Sequence, residues 1–141
     1  MTKQFCCAAL ISIAAIALPS AALAAGNQKV SVQTVFEIGN NPVVINQSAT
    51  NLNIANVIEF GGTGTVNATV TQSGTTNVTR VLQIGGTTNA AVLQAGTNNT
   101  AWVTQIGTNT NALIAQWGVT NTASVRQHGL ANWAALFQFG R

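Results

Sequence analysis

The chain has 141 residues, charged side chains make up 5% of it, and its formal net charge is +3. That length allows one domain. So few charges supply neither a basic patch for nucleic acid nor an acidic tail.

The chain opens with the pattern of a secretory signal peptide over residues 1–24. Lys3 precedes an apolar run over 5–18, followed by Pro19 and the small-residue site Ala22, Leu23, Ala24. The run is too short to span a bilayer. Cys6 and Cys7 lie inside this segment, too near the start for a lipoprotein cleavage site. Cleavage after Ala24 leaves a mature chain without cysteine, an exported protein stabilised without disulfides. Residues 25–29 form a short N-terminal segment, and residues 30–141 a repeat domain.

Ten units follow in chain order. Glu37, Gln47 and Glu59 head the first three, at spacings of 10, 12 and then 13 residues. From Gln72 the spacing locks at 11, through Gln83, Gln94, Gln105, Gln116, Gln127 and Gln138. Two places after these come Gly74, Gly85, Gly96, Gly107, Gly118, Gly129 and Gly140. A fixed short period marks one structural element that buries its face by stacking on copies of itself.

Three more positions precede each Gln at period 2. Two before it stands a large aliphatic residue in every unit, from Val35 and Ile45 to Val125 and Leu136. Four before it Ala dominates, as at Ala55, Ala68, Ala90, Ala101, Ala112, Ala123 and Ala134. Six before it Asn dominates, at Asn41, Asn53, Asn77, Asn99, Asn121 and Asn132, with Thr88 and Thr110 between. Period-2 selection over seven residues predicts a β-strand with one restricted, inward face. The Gly and the Thr, Asn or Gly that follow it predict the turn. A helix is excluded, because no 3.6-residue pattern competes and Thr, Asn, Gly and Val are poor helix formers.

Two strands and two turns make 22 residues, one coil of a flat all-β solenoid of about five coils. Strands one coil apart stack in parallel, about 4.8 Å apart. Gln72, Gln94, Gln116 and Gln138 then form one amide ladder, and Gln83, Gln105 and Gln127 another. Such ladders are a feature of cross-β structure. The hydrogen bonding makes a buried Gln tolerable. Asn77, Asn99, Asn121 and Asn132 join the set of expected ladder residues, and Gly74, Gly85, Gly96, Gly107, Gly118 and Gly129 the expected turns. Glu37 and Glu59 bring two carboxylates into one ladder, about 5 Å apart.

Catalytic chemistry finds no materials here. The chain past residue 24 has no Asp, Cys or Tyr, two Glu and one His. A Ser-His-Asp triad, a Cys nucleophile and a His/Cys metal site cannot be assembled from that set. No cofactor, metal or small-molecule substrate is expected. His128 occupies an ordinary repeat position. Trp102, Trp117, Trp133, Phe137 and Phe139 concentrate late in the chain and point outward on the alternation. They form either packing around the strand ends or a sticky C-terminal face for self-association.

The repeat Gln-x-Gly-x-x-Asn-x-Ala-x-x-x-Gln closely resembles that of the curlins, the subunits of bacterial curli amyloid fibres. The clearest matches are Gln94, Gly96, Asn99 and Ala101 with Gln105; Gln116, Gly118, Asn121 and Ala123 with Gln127; and Gln127, Gly129, Asn132 and Ala134 with Gln138. The resemblance implies a secreted subunit that polymerises with itself outside the cell into a fibre for biofilm and adhesion. It implies export through an outer-membrane pore, with a second curlin-like subunit as a partner. The segment from Ala25 to Val30 lacks the Gly-rich export stretch of the major curlin subunit, and the unbroken 11-residue spacing is closer to the minor, nucleating one. The alternative from the residues alone is a monomeric Thr/Asn-rich solenoid that binds ice or acts as an adhesin. Flat Thr-x-Thr rows at a constant position would mark the ice-binding form.

Overall fold

The computed structural model describes residues 30–39, 42–49, 51–61 and 64–141. The signal segment, Lys29 and Asn41 lie outside them. Ten strands follow one another: β1 Val30–Ile38, β2 Val43–Ala49, β3 Leu52–Gly61, β4 Val66–Thr75, β5 Asn77–Gly85, β6 Thr88–Thr97, β7 Thr100–Thr108, β8 Thr110–Val119, β9 Thr122–Leu130 and β10 Trp133–Phe139. Consecutive strands alternate between two five-stranded sheets, ordered β1-β3-β5-β7-β9 and β10-β8-β6-β4-β2. Every pairing is parallel and joins strands one coil apart, as in Gln72↔Gln94 and Gln83↔Gln105. The molecule is an all-β solenoid of five two-strand coils.

The core lies between the sheets and consists of the two apolar columns. Val57, Val70, Val81, Val92, Val103 and Ile114 are 0–2% exposed, alongside buried Ala55, Ala68, Ala90, Ala101, Ala112 and Ala123. The β-branched column fits the buried inward face of a pleated sheet. The Ala column lets the sheets approach where the long Gln side chains also need room.

The corners differ from the expected Gly turns. The strands run through the glycines, so Gly74 lies opposite Gly96 and Gly85 opposite Gly107 within the ladders. At several corners one residue in the left-handed region opens the link between strands: Thr76, Asn98, Asn109, Thr120 and Ala131 have φ between 55° and 59°. The glycine bends the strand two residues earlier. Gly96 has φ +120°, and a Cβ there would sit 2.1 Å from the Gly118 carbonyl oxygen. Only Gly supplies that conformation and that closeness together.

Candidate functional site

Eight inward Gln residues join end to end in two ladders. On the even-numbered strands Gln47 Nε2 donates to Gln72 Oε1 at 2.6 Å, Gln72 to Gln94 at 2.8 Å, Gln94 to Gln116 at 2.8 Å and Gln116 to Gln138 at 2.7 Å. On the odd-numbered strands Gln83 donates to Gln105 at 2.9 Å and Gln105 to Gln127 at 2.8 Å. Gln72, Gln83, Gln94, Gln105 and Gln116 are at most 1% exposed. Buried amides at this depth demand partners, and the ladder supplies one to each nitrogen. Several nitrogens also reach across the core to a backbone carbonyl of the opposite sheet, as Gln94 Nε2 does to Val78 O at 3.2 Å.

All these amides point the same way, nitrogen toward the C-terminal end of the stack. The Asn ladder points the other way. Asn77 Nδ2 donates back to Asn53 Oδ1 at 3.2 Å, Asn99 to Asn77 at 3.0 Å and Asn121 to Asn99 at 2.9 Å. Each of these Asn side chains also donates to the carbonyl four residues earlier: Ser73, Ala95 and Trp117 respectively. The Asn thus ties the corner before its own strand as well as the coil below.

Asn132 stands apart from that ladder. It precedes β10, in the even sheet, where the preceding coils carry Val66, Thr88 and Thr110 at the equivalent position. Its side chain keeps the corner bond, to His128 O, without an Asn neighbour to stack on.

Three features escaped the sequence reading. Thr79 takes the Ala position, and its hydroxyl bridges the opposite ladder, 3.0 Å from Gln72 Nε2 and 2.8 Å from Gln94 Oε1. A second Asn ladder runs on the outer face of the even sheet, from Asn67 to Asn89 at 2.8 Å and Asn89 to Asn111 at 3.0 Å. It recurs at 22 residues, so an 11-residue comparison does not reveal it. The late aromatics, third, are divided between the sheets. Trp102 lies on the odd sheet, 50% exposed, while Trp133, Phe137 and Phe139 lie on the even one, 57–76% exposed. Trp117 stacks on Phe139 with ring centroids 5.2 Å apart.

Glu37, Glu59 and Gln83 are successive register partners. Glu59 is fully buried. Burial first, and the Glu37 charge second, push its carboxyl up from 4.5 to about 8. A carboxyl held this way is largely a neutral acid near pH 7, able to donate one hydrogen bond.

Among the described residues the ends of the solenoid are open. β1 and β2 lie at one end, β9 and β10 at the other, and each has a described neighbour on one side only. At the far end Gln127 Nε2 turns to Asn111 O at 3.1 Å and Gln138 Nε2 to Thr122 O at 2.8 Å.

The family model described as Curlin associated repeat matches residues 96–129. No curated protein and no solved structure matches the chain. The matched span runs from Gly96 through the Asn99 and Asn121 steps of the Asn ladder to Gly129, and takes in Gln105, Gln116 and Gln127. Over those residues the solenoid is built from a curlin-type repeat.

Proposed function

We propose that the protein is an exported structural subunit that polymerises end to end into an extracellular, curli-like amyloid fibre. The observation that carries the reading is the pair of open ends. Each end presents one edge strand from each sheet, with backbone N–H and C=O rows unmatched among the described residues, which template another chain. Stacking sets β9 against β1 and β10 against β2 of the next copy. Gln138 then meets Gln47, and Gln127 meets Glu37, an acceptor for its amide. The shared polarity of the Gln ladders favours head-to-tail addition, because head-to-head stacking opposes donor to donor.

The curlin-type repeat supports the same reading, and with it a role in biofilm and adhesion on the bacterial surface. Export follows from the signal-peptide pattern, and an outer-membrane pore and a second curlin-like subunit are the partners it suggests. Catalysis and cofactor binding have no place in it. The ice-binding alternative lacks its rows: Thr69 and Thr71 give one outward Thr-x-Thr, whose register partners on the next coil are Ala91 and Leu93.

The test is to incubate the purified mature chain at tens of micromolar and follow thioflavin fluorescence and fibre diffraction. Fibres with a meridional spacing of about 4.8 Å are expected. A chain that stays monomeric for days overturns the proposal.

A further inference from the structure

The outer face of the odd sheet is apolar where a solenoid meets water. Phe36, Ile58 and Leu82 form one outward column, and Ile38, Phe60 and Ile84 form the next, two residues along. Five of the six are half-buried, and Ile38 is 43% exposed. Phe36 and Phe60 already touch, with ring centroids 5.5 Å apart. The strip fades along the stack, because the same columns continue as Thr104 and Arg126 beside Ile106 and His128.

We propose that this strip is a lateral seam, occupied by the same strip of a second copy in a neighbouring filament. The proposal rests on the fibre reading above and goes beyond it. A two-fold axis along the stack, passing over the Glu37–Glu59–Gln83 column, turns one face onto the other and reverses the strands. The two columns then exchange places. Phe36 faces Ile38 of the second copy, Ile58 faces Phe60, and Leu82 faces Ile84. Both filaments keep the same growth direction, so every added copy extends the seam.

Arg80 lies on the same face, exposed, two residues before Leu82. Under this axis it opposes the far corner of the second copy rather than the second Arg80. No like charges meet within the first three coils. The chain's other described cations, Arg126 and Arg141, lie in the last coil.

Area decides when the seam forms. Two columns over three or four strands cover roughly 14 Å by 14–19 Å, a few hundred Å² per copy. A stable interface buries about 800 Å² per partner. One pair of monomers falls short, whereas three or four stacked copies reach it. Pairing is therefore a property of filaments and absent from monomers. A lipid surface is the weaker occupant. It offers no rows of matching pitch, and Arg80 is the one described cation of the first three coils.

Mass per unit length, measured by dark-field scanning electron microscopy, tests the seam. Wild-type fibres should carry two chains per five-coil rise of about 24 Å. Fibres of the triple variant Ile58→Thr, Leu82→Thr, Ile84→Thr should carry one, with the 4.8 Å diffraction retained, since Thr is well accepted on strands. Wild-type fibres of single mass overturn the seam and leave the fibre reading standing. A triple variant that still doubles overturns it too. If the triple variant forms no fibres, Leu82→Lys replaces it. Doubled mass at high salt that halves at low salt supports the seam, and mass indifferent to salt overturns it. Monomer that floats with phosphatidylserine vesicles, while wild-type fibres stay single, assigns the face to membrane instead. Absence of any wild-type fibre overturns the assembly reading and the seam with it.

Discussion

Glu59 lies in register beside Gln83, and the facing oxygens of the pair are unsatisfied: both carboxyl oxygens of Glu59 and Oε1 of Gln83 have no hydrogen-bond partner. At the other Gln-to-Gln steps of both ladders the preceding residue donates an N–H to that Oε1. A protonated Glu59 supplies the missing donor and continues the ladder.

The pH dependence follows in sign from the raised carboxyl. Glu59 moves from 4.5 to about 8 on folding, so the folded form holds a proton that the unfolded form gives up. The stability it contributes is complete below about pH 4.5 and is lost as pH climbs through about 8. Ordering and assembly of the first coils should weaken across that window. Glu59→Gln should remove the dependence, because an amide donates at any pH. Assembly rate from pH 4 to 9 for the two proteins checks this, and a variant as sensitive as wild type contradicts it.

Loss of a buried ladder amide is the second expectation. Gln105→Ala leaves the Gln83 nitrogen without its 2.9 Å acceptor and the Gln127 oxygen without its 2.8 Å donor. Each orphaned group costs roughly 1–3 kcal/mol. Gln105→Ala should therefore slow assembly well below Thr108→Ala, an exposed position at the corner. Equal lag times for the two in thioflavin assays would remove the Gln ladder from the account of assembly.

The strands, the inward columns and the Gln ladders were legible because each repeats in every unit. What stayed hidden repeats at 22 residues, the period of a coil, or does not repeat. Neighbouring units belong to opposite sheets, so an 11-residue column mixes two environments. Asn132 looks like Asn121 in sequence yet lies in the sheet that carries Thr88 and Thr110. Asn67, Asn89 and Asn111 build a ladder in one sheet alone. Thr79 breaks its column once, and its bridging role depends on the opposite sheet standing close enough for a hydroxyl to reach. Ala115 faces outward by alternation yet is 3% exposed, flanked in register by Leu93 and Phe137.

Gly96→Ala should be far more damaging than its one added methyl suggests. The new Cβ meets the Gly118 carbonyl oxygen at 2.1 Å, and that atom is backbone in the adjacent coil. The residue also keeps φ +120°, which Ala rarely adopts. Strain and clash together should destabilise by at least ~2 kcal/mol. Ala substitution at Thr97, next in sequence and partly exposed, serves as the control. Circular dichroism on guanidinium titration should put the Gly96→Ala midpoint clearly below both wild type and the control.

One substitution should stabilise. Thr120 is the corner between β8 and β9, and its φ is +59°. A β-branched side chain in the left-handed region crowds the following carbonyl, at roughly 1–2 kcal/mol. Asn tolerates that region, and the equivalent corners Asn98 and Asn109 have φ 56°. The Thr120 side chain is exposed, and the bond at its position, from its backbone N to Thr97 O at 2.8 Å, survives the change. Thr120→Asn should therefore stabilise by about 1 kcal/mol. Thr76→Asn should act in the same sense at the corner between β4 and β5, where φ is +56°. Asn98→Thr is the reverse experiment and should cost a similar amount. Guanidinium midpoints for the three variants check the set. A Thr120→Asn midpoint at or below wild type would mean that the Thr hydroxyl, not the backbone conformation, governs that corner.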